Sequence, residues 1–266
     1  MKKEKWLFIG KDPRIKKSAI LIDTHEREIM HIESGEWTLE LEDLCRNMQP
    51  NCIVFPIQPL DAVKDIDYTC IPKETVMFFG RVAGPWKSVS ELFTSYFYLQ
   101  DEQFIWQNAK LTAEGWVAAF YKLNQQSISG KTFHITGFGR VAKMLANILK
   151  SMGAKVFIFV RSEANACEAK AYGYDAAILT PQRFAKEPIS WLLNTIPAPW
   201  FTEDYLKLST KEMILYDLAS APGCLREVDL KDRYELMPGI PGEYFADDAA
   251  VLLSDTINQL YNLEKE

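Results

Sequence analysis

The segment FHITGFGRVAKMLANILKSMGAKVFIFVRS, Phe133 to Ser162, holds the residues whose types and spacing point most directly to chemistry. An apolar strand pattern runs into Gly137-Phe138-Gly139-Arg140-Val141-Ala142, and a helix pattern with apolar positions Val141, Leu145, Ile148 and Leu149 follows. In a strand–turn–helix of this kind the first glycine permits a tight turn and the second lets the backbone approach a pyrophosphate. Ala142 stands where a third glycine is common and is still small enough to let the helix lie on the strand. The unpaired N–H groups at the helix start, aided by the helix dipole, then donate to a diphosphate. Gly137, Gly139, Arg140 and Val141 form the candidate cofactor turn. A Rossmann-like sheet without a nucleotide is the alternative.

An NAD site places an acid about 20 residues further on, at the end of the next strand, to bond the ribose hydroxyls. Here that position holds Arg161 and Ser162. A carboxylate would repel a 2′-phosphate, whereas a guanidinium and a hydroxyl bind one. The pair therefore favours NADP, with NAD as the alternative; the plainer reading has Arg161 stacking on adenine or facing solvent.

Ligands of doubly wound sheets lie outside the carboxyl ends of the strands. The turns after the later strands carry Asn194, Thr195 and Pro197, then Asp217, Ala219, Ser220, Pro222 and Gly223, then Pro238, Gly239, Pro241 and Gly242. Three polar or glycine-rich turns in succession suit a nicotinamide and substrate cleft, although each alone is also ordinary loop punctuation.

The elements that must position these residues follow from patterning. KWLFIG, NCIVFPI and TVMFFG read as strands buried on both faces, and TLELEDLCRNM as a short helix over them. SAILIDTHEREIMHI is ambiguous between helix and strand. Leu111 to Gln125 reads as a helix with Thr112 as its N-cap and an apolar face through Trp116, Ala119, Phe120 and Leu123. Strand (Thr132 to Thr136), helix (Val141 to Met152) and strand (Lys155 to Val160) then open a βαβ series. It continues through a helix at Ala164 to Tyr172, a strand near Ala176 to Leu179, and strands in WLLNTIP and EMILYDLAS. The expected class is α/β with two domains: a smaller flavodoxin-like α/β N-terminal domain and a doubly wound Rossmann-type NAD(P)-binding domain. The expected boundaries are 1–110, a crossing helix over 111–128, the NAD(P)-binding domain over 129–242, and 243–266 packing back on the first domain, its helix spanning Asp247 to Leu263.

With 266 residues, 48% of them apolar, the chain can bury two cores. A net charge of −6 argues against a broad nucleic-acid surface. No apolar run approaches the ~20 residues a membrane span needs, so a cytoplasmic protein is expected. Cys45, Cys52, Cys70, Cys167 and Cys224 are scattered, without a C-x-x-C pair, and read as reduced thiols with no metal. The apolar content leaves room for a homo-oligomer without demanding one.

FIGKDPR, TAEGWVAAF, ITGFGRVAKMLA, LLNTIP, DLASAPGC and MPGIPGEY occur in the order and at about the spacing of the A subunit of dipicolinate synthase, which this chain resembles over nearly its whole length. The resemblance implies an NADP-linked oxidation of a dihydrodipicolinate-type cyclic dicarboxylate to dipicolinate during endospore formation. The partner it implies is a smaller, flavoprotein-like B subunit. Carried over, Thr112, Glu114 and Gly115 match the T-x-E-G turn. Asn194, Thr195 and Pro197 match the nicotinamide-side loop, Asp217 and Ser220 the next, and Pro238, Gly239 and Gly242 the last. Glu114 and Asp217 are then the catalytic candidates, with Glu114 a base if burial raises its pKa; its alternative role is a carboxylate stabilising a helix start. Thr112, Gly115, Ser220, Pro238, Gly239 and Gly242 are the substrate-binding candidates. Arg14, Lys110 and Arg140 could meet the substrate's carboxylates.

Two features depart from that pattern. YFADDAAV, with Asp247 and Asp248, follows the last turn where the family has a basic and small-residue stretch, and like charges would oppose a dianion. QPLDAVKDIDYTC offers few anion donors. The alternatives are therefore a diverged NADP oxidoreductase acting on another substrate and a non-catalytic nucleotide-binding subunit. A D-2-hydroxyacid dehydrogenase would need a histidine late in the chain, and only His25, His31 and His134 are present.

Overall fold

Two parallel sheets organise the chain, each covered by helices on both faces. The computed structural model describes residues 3–62, 66–220 and 222–265, and it divides into a unit formed by Met1–Asn108 with Pro241–Glu266 and a unit formed by Ala109–Ile240.

The first unit contains β1 (Glu4–Ile9), α1 (Pro13–Ile22), β2 (Arg27–Ile32), β3 (Glu36–Trp37), α2 (Leu39–Met48), β4 (Cys52–Val54), β5 (Asp61–Ala62), β6 (Val76–Phe79), α3 (Trp86–Ser90) and β7 (Ser95–Phe97). Its main sheet has the order β2-β1-β4-β6-β7, all parallel, which is the flavodoxin-like order. The ambiguous stretch resolves into α1 and β2. Asp12 caps α1 by accepting from Arg14 N at 2.9 Å, and Pro13 occupies the first helical turn, where its missing N–H costs nothing. Residues 63–65 of the QPLDAVKDIDYTC loop lie outside the described residues.

Helix α4 (Glu102–Asn124) runs through the boundary between the units. Its start corrects the expected one at Leu111. Asp101 accepts from Phe104 N at 2.7 Å and caps the helix, so Thr112 lies buried inside α4 and caps nothing. Trp116, Ala119 and Phe120 are buried, but Leu123 is exposed.

The second unit continues with β8 (Thr132–Thr136), α5 (Arg140–Ser151), β9 (Lys155–Val160), α6 (Glu163–Ala171), β10 (Asp175–Ile178), α7 (Pro181–Phe184), β11 (Trp191–Asn194), α8 (Glu203–Leu208), β12 (Ile214–Asp217) and β13 (Tyr234–Leu236). The strand order is β10-β9-β8-β11-β12-β13, again all parallel. This is the doubly wound dinucleotide-binding order, with its switch point between β8 and β11. One face of the sheet packs edge-to-face aromatics, Phe133, Trp191 and Tyr216, against Trp116 and Phe120 of α4. The other face buries Phe159, Leu192 and Leu215 against Phe184 of α7 and Phe201.

The chain then returns to the first unit through α9 (Ile240–Tyr244) and α10 (Ala246–Lys265). Leu253, Ile257 and Tyr261 of α10 join the core of Trp6, Phe8 and Ile15, and Ser18 Oγ donates to Ala250 O at 3.0 Å. No helix among the described residues is long and apolar enough to cross a membrane.

His134 is the one histidine fully enclosed in a sheet. It lies between Phe157 and Phe159, and burial lowers its pKa from 6.5 to about 4. The Glu187 carboxylate opposes that shift from 3.8 Å, beyond hydrogen-bond reach, and Arg183 beside it adds to it. A base with a depressed folded pKa binds its proton first in the unfolded chain, so stability falls as pH drops from 6.5 towards 4. A difference of that size amounts to about 3 kcal/mol. Urea titrations at pH 7.0 and 4.5 should show His134→Leu losing less stability over this interval than the native chain; an equal loss would contradict this origin.

Candidate dinucleotide site

Strand register builds this site. The last residues of β8, β11 and β12 are opposite one another: Thr136 pairs with Asn194, and Asn194 with Asp217. All three are fully buried and hydrogen-bonded in a line. Thr136 Oγ1 donates to Asn194 Oδ1 at 2.7 Å, and Asn194 Nδ2 donates to Asp217 Oδ1 at 2.7 Å. Asn194 Oδ1 also accepts from Ile196 N at 3.1 Å and Trp200 Nε1 at 2.9 Å, while Nδ2 also donates to Ile196 O at 3.0 Å. Its amide is therefore saturated by protein groups. Asn194 is a support for the 195–197 turn, which corrects its expected role as a direct cofactor ligand.

Asp217 is corrected in the same way. Its Oδ1 accepts from Asn194 Nδ2 and from Ala219 N at 3.1 Å; its Oδ2 accepts from Cys224 N at 2.6 Å and Tyr234 Oη at 2.9 Å. A buried carboxylate with four donors has no oxygen left to take a substrate proton. Gly223 makes the cage possible: it has φ +84°, and a Cβ there would lie 2.6 Å from Tyr234 Oη and 3.0 Å from Asp217 Oδ2. Burial, and then the Asp217 charge, push the Cys224 thiol up, which marks it as structural.

Above this line a pocket of about 280 Å³ opens at the switch point. Gly137, Phe138 and Gly139 form one wall and Thr195, Ile196 and Pro197 the other, with Val160, Arg161 and Asn165 at one end. The walls approach closely at Gly137, which has φ +93°; a Cβ there would meet Thr195 Oγ1 at 2.6 Å, while Thr195 Oγ1 itself donates to Thr136 O at 2.8 Å. A Cβ on Gly139 would meet nothing within 4 Å, so the space a phosphate needs is open. Gly139 is also the N-cap of α5 and makes no side-chain cap, which leaves the first N–H groups of a 12-residue helix to an anion. Ala142 is buried, bringing α5 close to the sheet, and Val141 beside it is half-buried. These residues fit a dinucleotide diphosphate.

Arg161 is exposed at the end of β9, and among the described residues no carboxylate pairs with it. Ser162 is not a pocket residue: its hydroxyl caps α6, accepting from Asn165 N at 3.3 Å. Asn165, which sequence reasoning missed, lines the pocket one helical turn after Arg161. The capping spacing from Ser162 was the signal that could have placed it there. Phe138 packs edge-on against Tyr172 and Tyr174, tying the glycine turn to the end of α6.

The remaining candidates are dispersed. Glu114 is half-exposed on α4, with Lys110 Nζ at 4.0 Å, and does not line the pocket; Gly115 beside it is buried. Arg140 is exposed at the start of α5. Ser220 O accepts from Gly223 N at 3.2 Å, and Pro238 and Gly239 are exposed in the turn after β13. Gly242 belongs to the first unit. A Cβ there would sit 2.9 Å from Arg14 Nε and 3.2 Å from Asp12 Oδ1. Arg14 is buried and bidentate with Asp12, at 2.9 and 2.6 Å, so its charge is already matched. Asp247 and Asp248 occupy the first turn of α10, where acids suit the helix dipole, and Asp247 pairs with Lys17 of α1.

Residues 101–187 match the NAD-binding domain of D-isomer-specific 2-hydroxyacid dehydrogenases. A comparison with curated proteins yields no match. Among solved structures, the dipicolinate synthase A subunit of Bacillus halodurans superposes with a TM-score of 0.78 at 20% identity, over 97% of this chain and 98% of that one. The corresponding polypeptide of dipicolinate synthase from Bacillus subtilis gives 0.78 at 20% identity, over 100% and 99%. An NAD-complexed D-isomer-specific 2-hydroxyacid dehydrogenase from Lactobacillus delbrueckii ssp. bulgaricus gives 0.54 at 12%, over 98% and 97%. The chain thus has the fold of the dipicolinate synthase A subunit, and its second unit carries the NAD-binding domain that NAD(P)-dependent oxidoreductases use.

Proposed function

We propose that this chain is an NAD(P)-dependent oxidoreductase that takes NADP in preference to NAD and oxidises a dihydrodipicolinate-type cyclic dicarboxylate to dipicolinate in spore-forming cells. The observation that carries the dinucleotide reading is the open, uncapped start of α5 beside Gly139, facing the Thr195–Pro197 turn across a pocket at the switch point. Arg161, with Asn165 one turn later, supplies the donors for a 2′-phosphate where an NAD site has an acid. The fold shared with the dipicolinate synthase A subunit over the whole chain supports the substrate class.

When bound, NADP supplies the hydride acceptor. The rest of the chemistry falls to the chain. The α5 start would hold the diphosphate and Arg161 the 2′-phosphate, and the Thr195–Pro197 turn would face the nicotinamide end. Loss of hydride and one proton makes the substrate ring aromatic, and Glu114, with Lys110 beside it, is the candidate to take that proton at Oε1 or Oε2. The same proposal includes a cytoplasmic location, a homo-oligomeric state and a smaller, flavoprotein-like partner. A second reading, a related oxidoreductase acting on another substrate, is favoured by Arg14, whose guanidinium Asp12 already neutralises.

Two variants test the cofactor reading. Gly139→Asp adds a carboxylate where the diphosphate would lie, at a backbone conformation and N-cap position that Asp favours. Its dinucleotide affinity should fall by more than about tenfold while thermal stability is kept; unchanged affinity would refute the site. Arg161→Ala should weaken NADP binding by about ten- to hundredfold and leave NAD almost unaffected, whereas equal losses would refute the NADP preference. Formation of NADPH absorbance with a dihydrodipicolinate-type substrate, lost in Glu114→Gln, tests the reaction; activity retained by that variant would remove Glu114 from it.

A further inference from the structure

We propose that Asp217 is a positioning residue that, through Asn194, sets the rim formed by Thr195, Ile196 and Pro197, and so governs binding of the nicotinamide half of the dinucleotide separately from the adenosine half. The inference rests on the dinucleotide reading above and deepens it. Asp217 is fully buried and does not line the pocket, so any influence on a ligand must pass through its partners.

Those partners leave little freedom. An isolated Asn amide can flip, exchanging its oxygen and nitrogen. Here Asp217 Oδ1 accepts from Asn194 Nδ2 at 2.7 Å and fixes the sense of the amide. Asn194 Oδ1 must then face Thr136 Oγ1, Ile196 N and Trp200 Nε1. All three are donors, and Ile196 is the middle residue of the rim. The carboxylate is itself held by the backbone N–H groups of Ala219 and Cys224 and by the Tyr234 hydroxyl. Orientation therefore passes from Asp217 to Asn194 to the 195–197 turn and into the wall opposite Gly137.

The path stays within β11, β12 and the turns that follow them. The Arg161 and Asn165 end of the pocket hangs on β9 and α6 and, among the described residues, shares no hydrogen bond with it. In this strand order the two halves of the sheet each hold one mononucleotide, so the adenosine lies over the first half and the nicotinamide over the second. Damage to the Asp217 line should thus be felt by one half of the ligand alone. A general loss of stability would be felt by both.

Asp217→Asn places an amide nitrogen against N–H donors on whichever side it turns. Trp200→Phe is a milder second variant that removes one donor from Asn194 Oδ1 and leaves Asp217 intact. Isothermal titration with NADP and with adenosine 2′,5′-bisphosphate, which carries only the adenosine half, reads the split. For Asp217→Asn the NADP dissociation constant should rise about tenfold or more, with that of the bisphosphate held within about twofold. Trp200→Phe should shift NADP in the same direction by less, and it carries the test alone if Asp217→Asn does not fold. Equal weakening of both ligands, or no change in either, would overturn the inference. Wild-type protein that bound neither ligand would overturn the dinucleotide reading first, and this inference with it.

Discussion

A single row of hydrogen bonds, Thr136 to Asn194 to Asp217, holds the carboxyl ends of three adjacent parallel strands together in the second unit. It exists because register puts the three residues side by side, and because each is buried where an unmatched polar group would cost about 1–3 kcal/mol. Everything above it depends on that row. The 195–197 turn is hung from Asn194, the backbone N–H groups of Ala219 and Cys224 are held by Asp217, and the glycine turn comes within reach of Thr195 only because Gly137 has no side chain. The residues closest to the pocket in sequence motif terms are thus split in two. Some present the surface a ligand meets, and others, completely enclosed, hold that surface in place.

A similar division applies to charge. The cations that a dicarboxylate would seek are not all available: Arg14 is locked to Asp12 beneath Gly242, and Lys110 faces Glu114. Arg161 differs, since among the described residues no carboxylate pairs with it. A guanidinium held at the end of β9, next to a pocket whose other end is a bare helix start, is an arrangement suited to two separate phosphate groups. The acids at the start of α10 answer to local needs of the helix and of Lys17.

Much of this architecture was legible because it follows from periodicity and from glycine. The alternation of buried strands with amphipathic helices specified both parallel sheets, and Gly137 and Gly139 marked the switch point. The sequence was silent where the outcome depends on partners far along the chain. Thr112 has the chemistry of an N-cap, but Asp101 captures the helix start earlier. Ser162 has the chemistry of a phosphate donor, but its side chain turns to cap α6, accepting from Asn165 N, and does not line the pocket. Asp217 looks like an acid or base until Cys224 and Tyr234, brought in by the following turn and strand, fill its second oxygen. In each case a polar side chain could serve a ligand or the backbone, and only the three-dimensional neighbours decide.

The proposed oxidation of a cyclic dicarboxylate rests on the pocket between the glycine turn and the 195–197 turn receiving a nicotinamide dinucleotide. Titration of the native protein with NADP and with NAD, followed by tryptophan fluorescence in the presence and absence of dipicolinic acid, tests it most directly. NADP should bind more tightly than NAD, and more tightly still when dipicolinic acid is present. Binding of neither dinucleotide would contradict it outright, and NADP binding indifferent to dipicolinic acid would contradict its assignment of the substrate.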